Sequence, residues 1–284
     1  MRTHASGQSS RRARHARAYP MTVALLLGAA AAASAHDMFV KPERFRVAER
    51  AEVLVRLING TFTKSENSIA RNRLADVSIV SPDGRTRLDT AAWTAAGDTS
   101  TFRVRTAGAG TYVLGVSTRP NVIAMSGTQF AAYLKEDGVP DELARRRREG
   151  TLADSAHERY SKHVKALLQV GAAPSDEYAT VLGYPAEIVP LENPYALRSG
   201  ATLRVRLLVD GAPAANQYVQ FGGRTPAGAR VAQRGTRSDA DGVARIPLAG
   251  RGPRYVKFVS MARTTGDSAA THESRWATLT FEVR

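Results

Sequence analysis

Apolar and polar or small residues alternate along Glu52–Ile58, Ala75–Val80, Thr101–Arg105 and Thr111–Val116. This is the period of two that a strand needs when one face is buried. Ser81-Pro82-Asp83-Gly84 and Ala107-Gly108-Ala109-Gly110 carry turn chemistry between these runs. The same texture returns along Glu187–Pro190, Thr202–Val209, Gln217–Phe221, Val243–Leu248, Tyr255–Val259 and Trp276–Val283, with hairpin dipeptides at Asp210-Gly211 and Asp241-Gly242. Between Gly127 and Gly171 the pattern changes to helical spacing. Phe130, Tyr133 and Leu134 share a face, Pro140-Asp141-Glu142 reads as a helix start and Gly150 as a stop. A further helix is predicted over Leu152–Val170, its apolar side formed by Ala153, Ala156, Tyr160, Val164 and Leu167. The basic block Arg145–Arg148 is expected to be a solvated helix face. Together these patterns predict a mainly β chain of two immunoglobulin-like β-sandwich domains with a helical insertion or connector. The divisions are 1–35, a signal peptide; 36–125, the amino-terminal sandwich; 126–171, the helical segment; and 172–284, the carboxy-terminal sandwich.

The leader changes the picture more than composition does. Arg2, Arg11, Arg12, Arg14 and Arg17 precede the apolar run Met21–Ala33, which is short for a membrane span and ends on the small residues Ala33 and Ala35. Cleavage after Ala35 is expected, giving a periplasmic or secreted protein with no stable membrane insertion after signal cleavage. Ser10-Arg11-Arg12 suggests the twin-arginine route, although the residues that follow fit it poorly. Loss of the five leader arginines, with no acidic residue among them, lowers the formal net charge from +14 to +9. The remaining arginines are scattered, so the charge reads as solubility and no nucleic-acid partner is expected. Cysteine is absent, which excludes disulfides, thiolate metal ligands and cysteine nucleophiles.

Candidate chemistry narrows to histidine. The chain has no Gly-x-Ser-x-Gly elbow, phosphate loop, His-Glu-x-x-His helix or complete dinucleotide fingerprint. Asp239-Ala240-Asp241-Gly242 resembles a calcium loop, but its closing position is Gly250 rather than Glu, so a turn is expected. His157 and His163 lie six residues apart, about 120° around the predicted helix, and do not form the usual metal pair. His272-Glu273 holds two adjacent donors after the polar loop Thr264–Thr271. His36 is different, because as a mature terminus it would carry its α-amino group and imidazole on one residue. Both groups lose protons near neutral pH, at ~8 and ~6.5 in model peptides, and nitrogen donors suit copper, nickel and zinc. The adjacent Asp37 adds an oxygen. The candidate metal ligands are therefore His36, Asp37, His272 and Glu273. No catalytic residue and no organic cofactor is expected.

His36-Asp37-Met38-Phe39-Val40, Pro82-Asp83-Gly84, Phe130-x-x-Tyr133-Leu134, Glu158-Arg159-Tyr160-Ser161-Lys162, Pro185-x-Glu187-Ile188-Val189-Pro190, Asn193-Pro194-Tyr195-Ala196-Leu197 and Glu273-Ser274-x-Trp276-Ala277-Thr278-Leu279 occur in this order. The series resembles the domain of unknown function family 4198. That resemblance implies an exported bacterial protein of a kind often labelled a periplasmic component of nickel or cobalt uptake. It also implies departures at His163 and His272, where members tend to carry aromatic residues. The leading expectation is an exported binding protein for nickel, cobalt or copper, passing its ion to a membrane uptake system. A structural or adhesive module binding a protein, glycan or envelope component is the alternative. A copper oxidase would need a second histidine beside His36.

Overall fold

A computed structural model describes Met1, Arg2 and residues 36–284. The expected signal peptide and its cleavage site at Ala35 lie outside the described residues, apart from Met1 and Arg2. In chain order the strands are β1 (Met38–Pro42), β2 (Arg46–Val47), β3 (Glu52–Asn59), β4 (Leu74–Ser81), β5 (Gly84–Arg87), β6 (Thr94–Ala96), β7 (Thr99–Arg105), β8 (Gly110–Thr118) and β9 (Asn121–Met125). Helices α1 (Gly127–Glu136) and α2 (Pro140–Glu149) follow. Then come β10 (Ala156–Val170), β11 (Ala186–Pro190), β12 (Thr202–Val209), β13 (Ala212–Pro213), β14 (Tyr218–Arg224), β15 (Arg230–Arg237), β16 (Val243–Pro247), β17 (Gly252–Arg263) and β18 (His272–Val283). The protein is mainly β, with three sheets among the described residues.

One sheet of ten strands runs through the described chain in the order β15-β14-β17-β18-β10-β8-β4-β5, with β2 and β9 also paired to β10. The two smaller sheets are β1-β3-β7-β6 and β11-β12-β13, with β16 also paired to β12. They cover opposite faces of the large sheet, because successive strand side chains point to opposite sides. Val164, Ala166, Leu168 and Val170 of β10 join Val53, Val55 and Leu57 in one core. Leu167 instead joins Ile188, Leu203, Val205 and Leu279 in the other. A third apolar cluster seats α1 on the large sheet through Phe130, Tyr133, Leu134, Val259 and Trp276.

The expected helix over Leu152–Val170 is corrected to a loop followed by the 15-residue strand β10. Its carboxy-terminal ten residues, Ser161–Val170, are all buried. A strand covered on both faces loses alternation, and its apolar residues then match helical spacing by chance. Only the first part of the expected helical segment, α1 and α2, is helical. Arg145–Arg148 is also corrected in part: Arg146 is buried, donating to the carbonyls of Thr151 and Asp154.

Helix α1 begins with a capping box in which Ser126 and Gln129 exchange side-chain and backbone hydrogen bonds. Gly127 follows, and a Cβ there would lie 2.3 Å from the Ala153 carbonyl carbon and oxygen. Backbone on both sides leaves no flexible group to give way. Gly127→Ala is expected to lower stability by about 1–3 kcal/mol, as overpacking does, read as a lower urea midpoint with unchanged slope.

Candidate functional site

His36 and Asp37 enter the fold just before β1, over the part of the large sheet where β10, β18 and β17 adjoin. Two buried lysines fasten them there. The Lys162 ammonium donates to the His36 carbonyl and, at 3.1 Å, to Asn59 Oδ1. The Lys257 ammonium donates to Asp37 Oδ2 at 2.5 Å and to Asp137 Oδ1 at 3.3 Å. The Gly60 amide adds a 2.8 Å bond to the Asp37 carbonyl. Strand β1 is further tied to β18 by the hydroxyls of Thr278 and Thr280, which donate to the carbonyls of Met38 and Val40 at 2.8 and 2.5 Å.

Burial shapes the charges in this cluster. It pushes Lys162 down to about 8, with Asp37 and Asp137 opposing it. Asp137 is pushed up to about 7 by burial, with Lys257 opposing. Burial would also lower Lys257, but the carboxylates of Asp37 and Asp137 outweigh it and hold the ammonium above its usual range. Beside them Glu158 is buried and raised by desolvation, accepting from the Tyr133 hydroxyl at 2.7 Å and from the Ser274 hydroxyl. Trp276 Nε1 donates to Ser274 Oγ at 3.0 Å. Among the described residues, Asp37 Oδ1 and Glu158 Oε2 are buried without a hydrogen-bond partner.

The His36 imidazole faces Glu66, with Nδ1 3.3 Å from Glu66 Oε2 and side-chain exposures of 20% and 39%. Glu66 is held by its amide, which donates to the Asn59 carbonyl at 2.9 Å, and by the bridge between Gly60 and Ser65. A Cβ at Gly60 would lie 2.4 Å from the Lys64 carbonyl oxygen, so this tight return needs glycine. The separation suits a shared ion. Nitrogen and oxygen donors each about 2.1 Å from one metal lie about 3.0 Å apart at a right angle and about 3.4 Å at a tetrahedral angle.

The other sequence candidates are not brought to this site. Asp37 lies beside His36, but its carboxylate pairs with Lys257. His272 is buried, with Nε2 3.1 Å from Glu142 Oε1 and Nδ1 2.8 Å from Thr271 Oγ1. Glu273 points to the other face of β18, where Arg275 lies 3.3 Å away. Adjacent in sequence, these two donors therefore diverge. In register, His272 stands opposite Glu158, while Trp276 stands opposite the Lys162 that holds His36. Four strand residues at about 3.3 Å each keep His272 well along the sheet from His36. His163 lies between Ser117 Oγ at 2.9 Å and Ser161 Oγ at 3.0 Å and is pushed down to about 4 by burial. His157 is exposed.

Among the described residues, no group of three or more His, Asp or Glu side chains forms a metal cluster. Sequence reasoning missed Glu66, whose only local signal is Gly60 before a short polar loop, and missed the two lysines of β10 and β17.

Residues 33–260 match the model of a family described as Domain of unknown function (DUF4198). No curated protein matches the sequence. Among solved structures, the chain is similar to a DUF4785 family protein from Legionella pneumophila, at 11% identity and a TM-score of 0.23, covering 76% of this chain and 50% of that one. It is also similar to trypsin-activated alpha-2-macroglobulin from Escherichia coli, at 11% identity and 0.22, covering 87% and 15%. A third is the adhesin InvE from Yersinia pseudotuberculosis, at 14% identity and 0.21, covering 86% and 58%. The chain thus spans less than two thirds of each, and these likenesses carry no argument about function. Among the described residues, no helix is long and apolar enough to cross a membrane.

Proposed function

The chain belongs to the DUF4198 family, whose description assigns no activity, and from the geometry of its amino-terminal site we propose that it captures a divalent transition metal ion. Nickel and copper are ions that its nitrogen donors suit, and cobalt enters through the family resemblance. The protein acts after export, in the periplasm or outside the cell, and passes its ion to a membrane uptake system. One observation carries this reading: the 3.3 Å approach of Glu66 Oε2 to His36 Nδ1. Nδ1 is the ring nitrogen nearer the backbone, so with the freed α-amine of a terminal His36 it closes a compact chelate. Glu66 then supplies the oxygen that the sequence had suggested for Asp37. Lys162 and Lys257 hold the His36 carbonyl and the Asp37 carboxylate in the protein, so the donors are positioned before an ion arrives. For the scaffold, we read each small sheet with its part of the large sheet as an immunoglobulin-like sandwich, supported by antiparallel pairing within each small sheet.

Calorimetry with nickel and copper on four proteins tests the function: the chain beginning at His36, the same chain extended by one Gly, His36→Ala and Glu66→Gln. The extension converts the amine to an amide and keeps the imidazole. Extension and His36→Ala are each expected to weaken binding by at least about tenfold, the equivalent of about 1.4 kcal/mol. Glu66→Gln is expected to have a smaller effect in the same direction. Equal affinity in all four would sink the proposal.

A further inference from the structure

The two buried lysines that fasten His36 and Asp37 differ in their surroundings. Lys257 on β17 stands between two carboxyl groups, its ammonium 2.5 Å from Asp37 Oδ2 and 3.3 Å from Asp137 Oδ1. All three side chains are shielded from water, with exposures of 3%, 16% and 14%. Aromatic rings wall the place on one side. Phe39, two residues after Asp37, lies 5.3 Å from Tyr255, two residues before Lys257, and Phe62 packs against both rings.

As an ion pair this arrangement is poorly compensated. Desolvation of both charges offsets much of their attraction, and Asp37 Oδ1 is buried without a hydrogen-bond partner among the described residues. An amide between the two side chains would remove both charges. The nucleophile, the carboxyl group and a second acid able to move protons are already adjacent. Such positioning is equivalent to an effective concentration of roughly 10⁵–10⁸ M, so a condensation that fails between separate molecules in water can proceed here. Lys165 and Glu187 provide the contrast. They are 3.0 Å apart and as deeply buried, but three amides hold Glu187, and among the described residues no second acid is bonded to Lys165.

We propose that Lys257 and Asp37 condense into an intramolecular isopeptide bond, with Asp137 carrying the protons. Asp137 takes one proton from the ammonium, the freed Nζ lone pair forms a bond to Asp37 Cγ, and the carbonyl π pair moves onto oxygen. Asp137 delivers that proton to a carboxyl oxygen and then transfers a second one from nitrogen in the same way. The C–O bond breaks with its electron pair, and the oxygen leaves as water. One ammonium and one carboxylate thus give one amide and one water, with Asp137 unchanged and no net proton gained or lost. Burial pushes Asp137 up to about 7, so near neutrality it can both accept and release the proton. The bond would join residues 220 positions apart in the chain. It uses neither the His36 nitrogens nor Glu66 and is independent of metal capture.

Mass spectrometry of the folded mature chain tests it. The intact protein is expected to be lighter than its sequence by the mass of one water. Trypsin should release a branched peptide joining His36–Arg44 to Tyr255–Arg263, because a lysine acylated at Nζ is no longer cleaved and Lys41 precedes proline. Lys257→Arg keeps a cation between the carboxylates but has no amine to acylate, and should show the full mass and no branched peptide. Asp137→Ala keeps both reacting groups and loses the proton carrier. In a time course after refolding it should form the bond roughly 10²–10⁴-fold more slowly. The branched peptide of the wild-type protein decides the matter even where a variant fails to fold. A wild-type chain of full mass without that peptide would overturn the proposal and leave an ion pair. Loss of a water that persists in Lys257→Arg, or formation at the wild-type rate in a folded Asp137→Ala protein, would overturn the bond or the role of Asp137 respectively.

Discussion

Glu187→Ala is expected to lower stability by about 3–5 kcal/mol, the cost of removing one partner of a buried ion pair, or to prevent folding altogether. Glu187 on β11 and Lys165 on β10 are nearly inaccessible, with side-chain exposures of 1% and 3%, and their charged atoms lie 3.0 Å apart. The carboxylate does more than pair. Oε1 accepts from the amides of Gly183 and Tyr184 at 2.7 and 2.8 Å, and Oε2 accepts from Leu182 at 2.9 Å. The residues leading into β11 are thus closed around one side chain. Removing it strands three amides and leaves the Lys165 ammonium with the Thr180 carbonyl at 3.4 Å, in a place where burial already pushes its pKa down. Lys165→Met should cost distinctly less, because three amides would still satisfy the carboxylate and the methionine fills the same volume. Urea unfolding of both variants at pH 7 checks the asymmetry. A larger loss in Lys165→Met would show that the ammonium, not the amide cradle, is the important partner.

The second large effect is a pH dependence assigned to one histidine. His163 is pushed down to about 4, chiefly by burial and next by the charge of Arg275, with Glu187 and Asp210 acting the other way. The Tyr184 ring also packs beside it, 6.0 Å between centroids. In the unfolded chain an imidazole titrates near ~6.5, so between about pH 6.5 and pH 4 the unfolded state binds the extra proton. Stability from this group is therefore present above pH 6.5 and is lost as pH falls toward 4. At 1.36 kcal/mol per unit, the loss is about 3 kcal/mol. His163→Phe removes that part of the acid limb. Comparing urea midpoints at pH 7 and pH 4.5, the wild-type protein should lose more stability than the variant. At pH 7 the variant should be the less stable of the two, since the Ser117 and Ser161 hydroxyls lose their partner. Equal losses on acidification would remove the assignment to His163.

The strands with one covered face were legible because their pattern is local. Val53, Val55 and Leu57 are buried while Glu52 and Arg56 are exposed, and Leu203, Val205 and Leu207 repeat this in β12. Strand β10 was not legible for the opposite reason. Lys162, His163 and Lys165 look like a solvated surface, and only their partners on distant elements, His36, Asn59, Ser117 and Glu187, make their burial affordable. The candidate site divides in the same way. His36 could be found from its place after Ala35, a property of sequence alone. Glu66 could not, because its approach depends on how β3 ends and turns back at Gly60. The adjacent pair His272-Glu273 looked promising in sequence and diverges in space, since neighbours on a strand face opposite sides.

Strand β18 lies between β17 and β10 in the large sheet, antiparallel to the first and parallel to the second. Without it the sheet divides into two pieces, and β1 loses the Thr278 and Thr280 hydroxyls bonded across 240 residues of chain. Yet β18 is made on the ribosome after every other strand described. During synthesis the amino-terminal half therefore waits for a neighbour that does not yet exist, and pairing at such separations is slow once it can begin. A chain built in this order stays open while it is being translated. That delay makes closure of the central sheet a late event of folding.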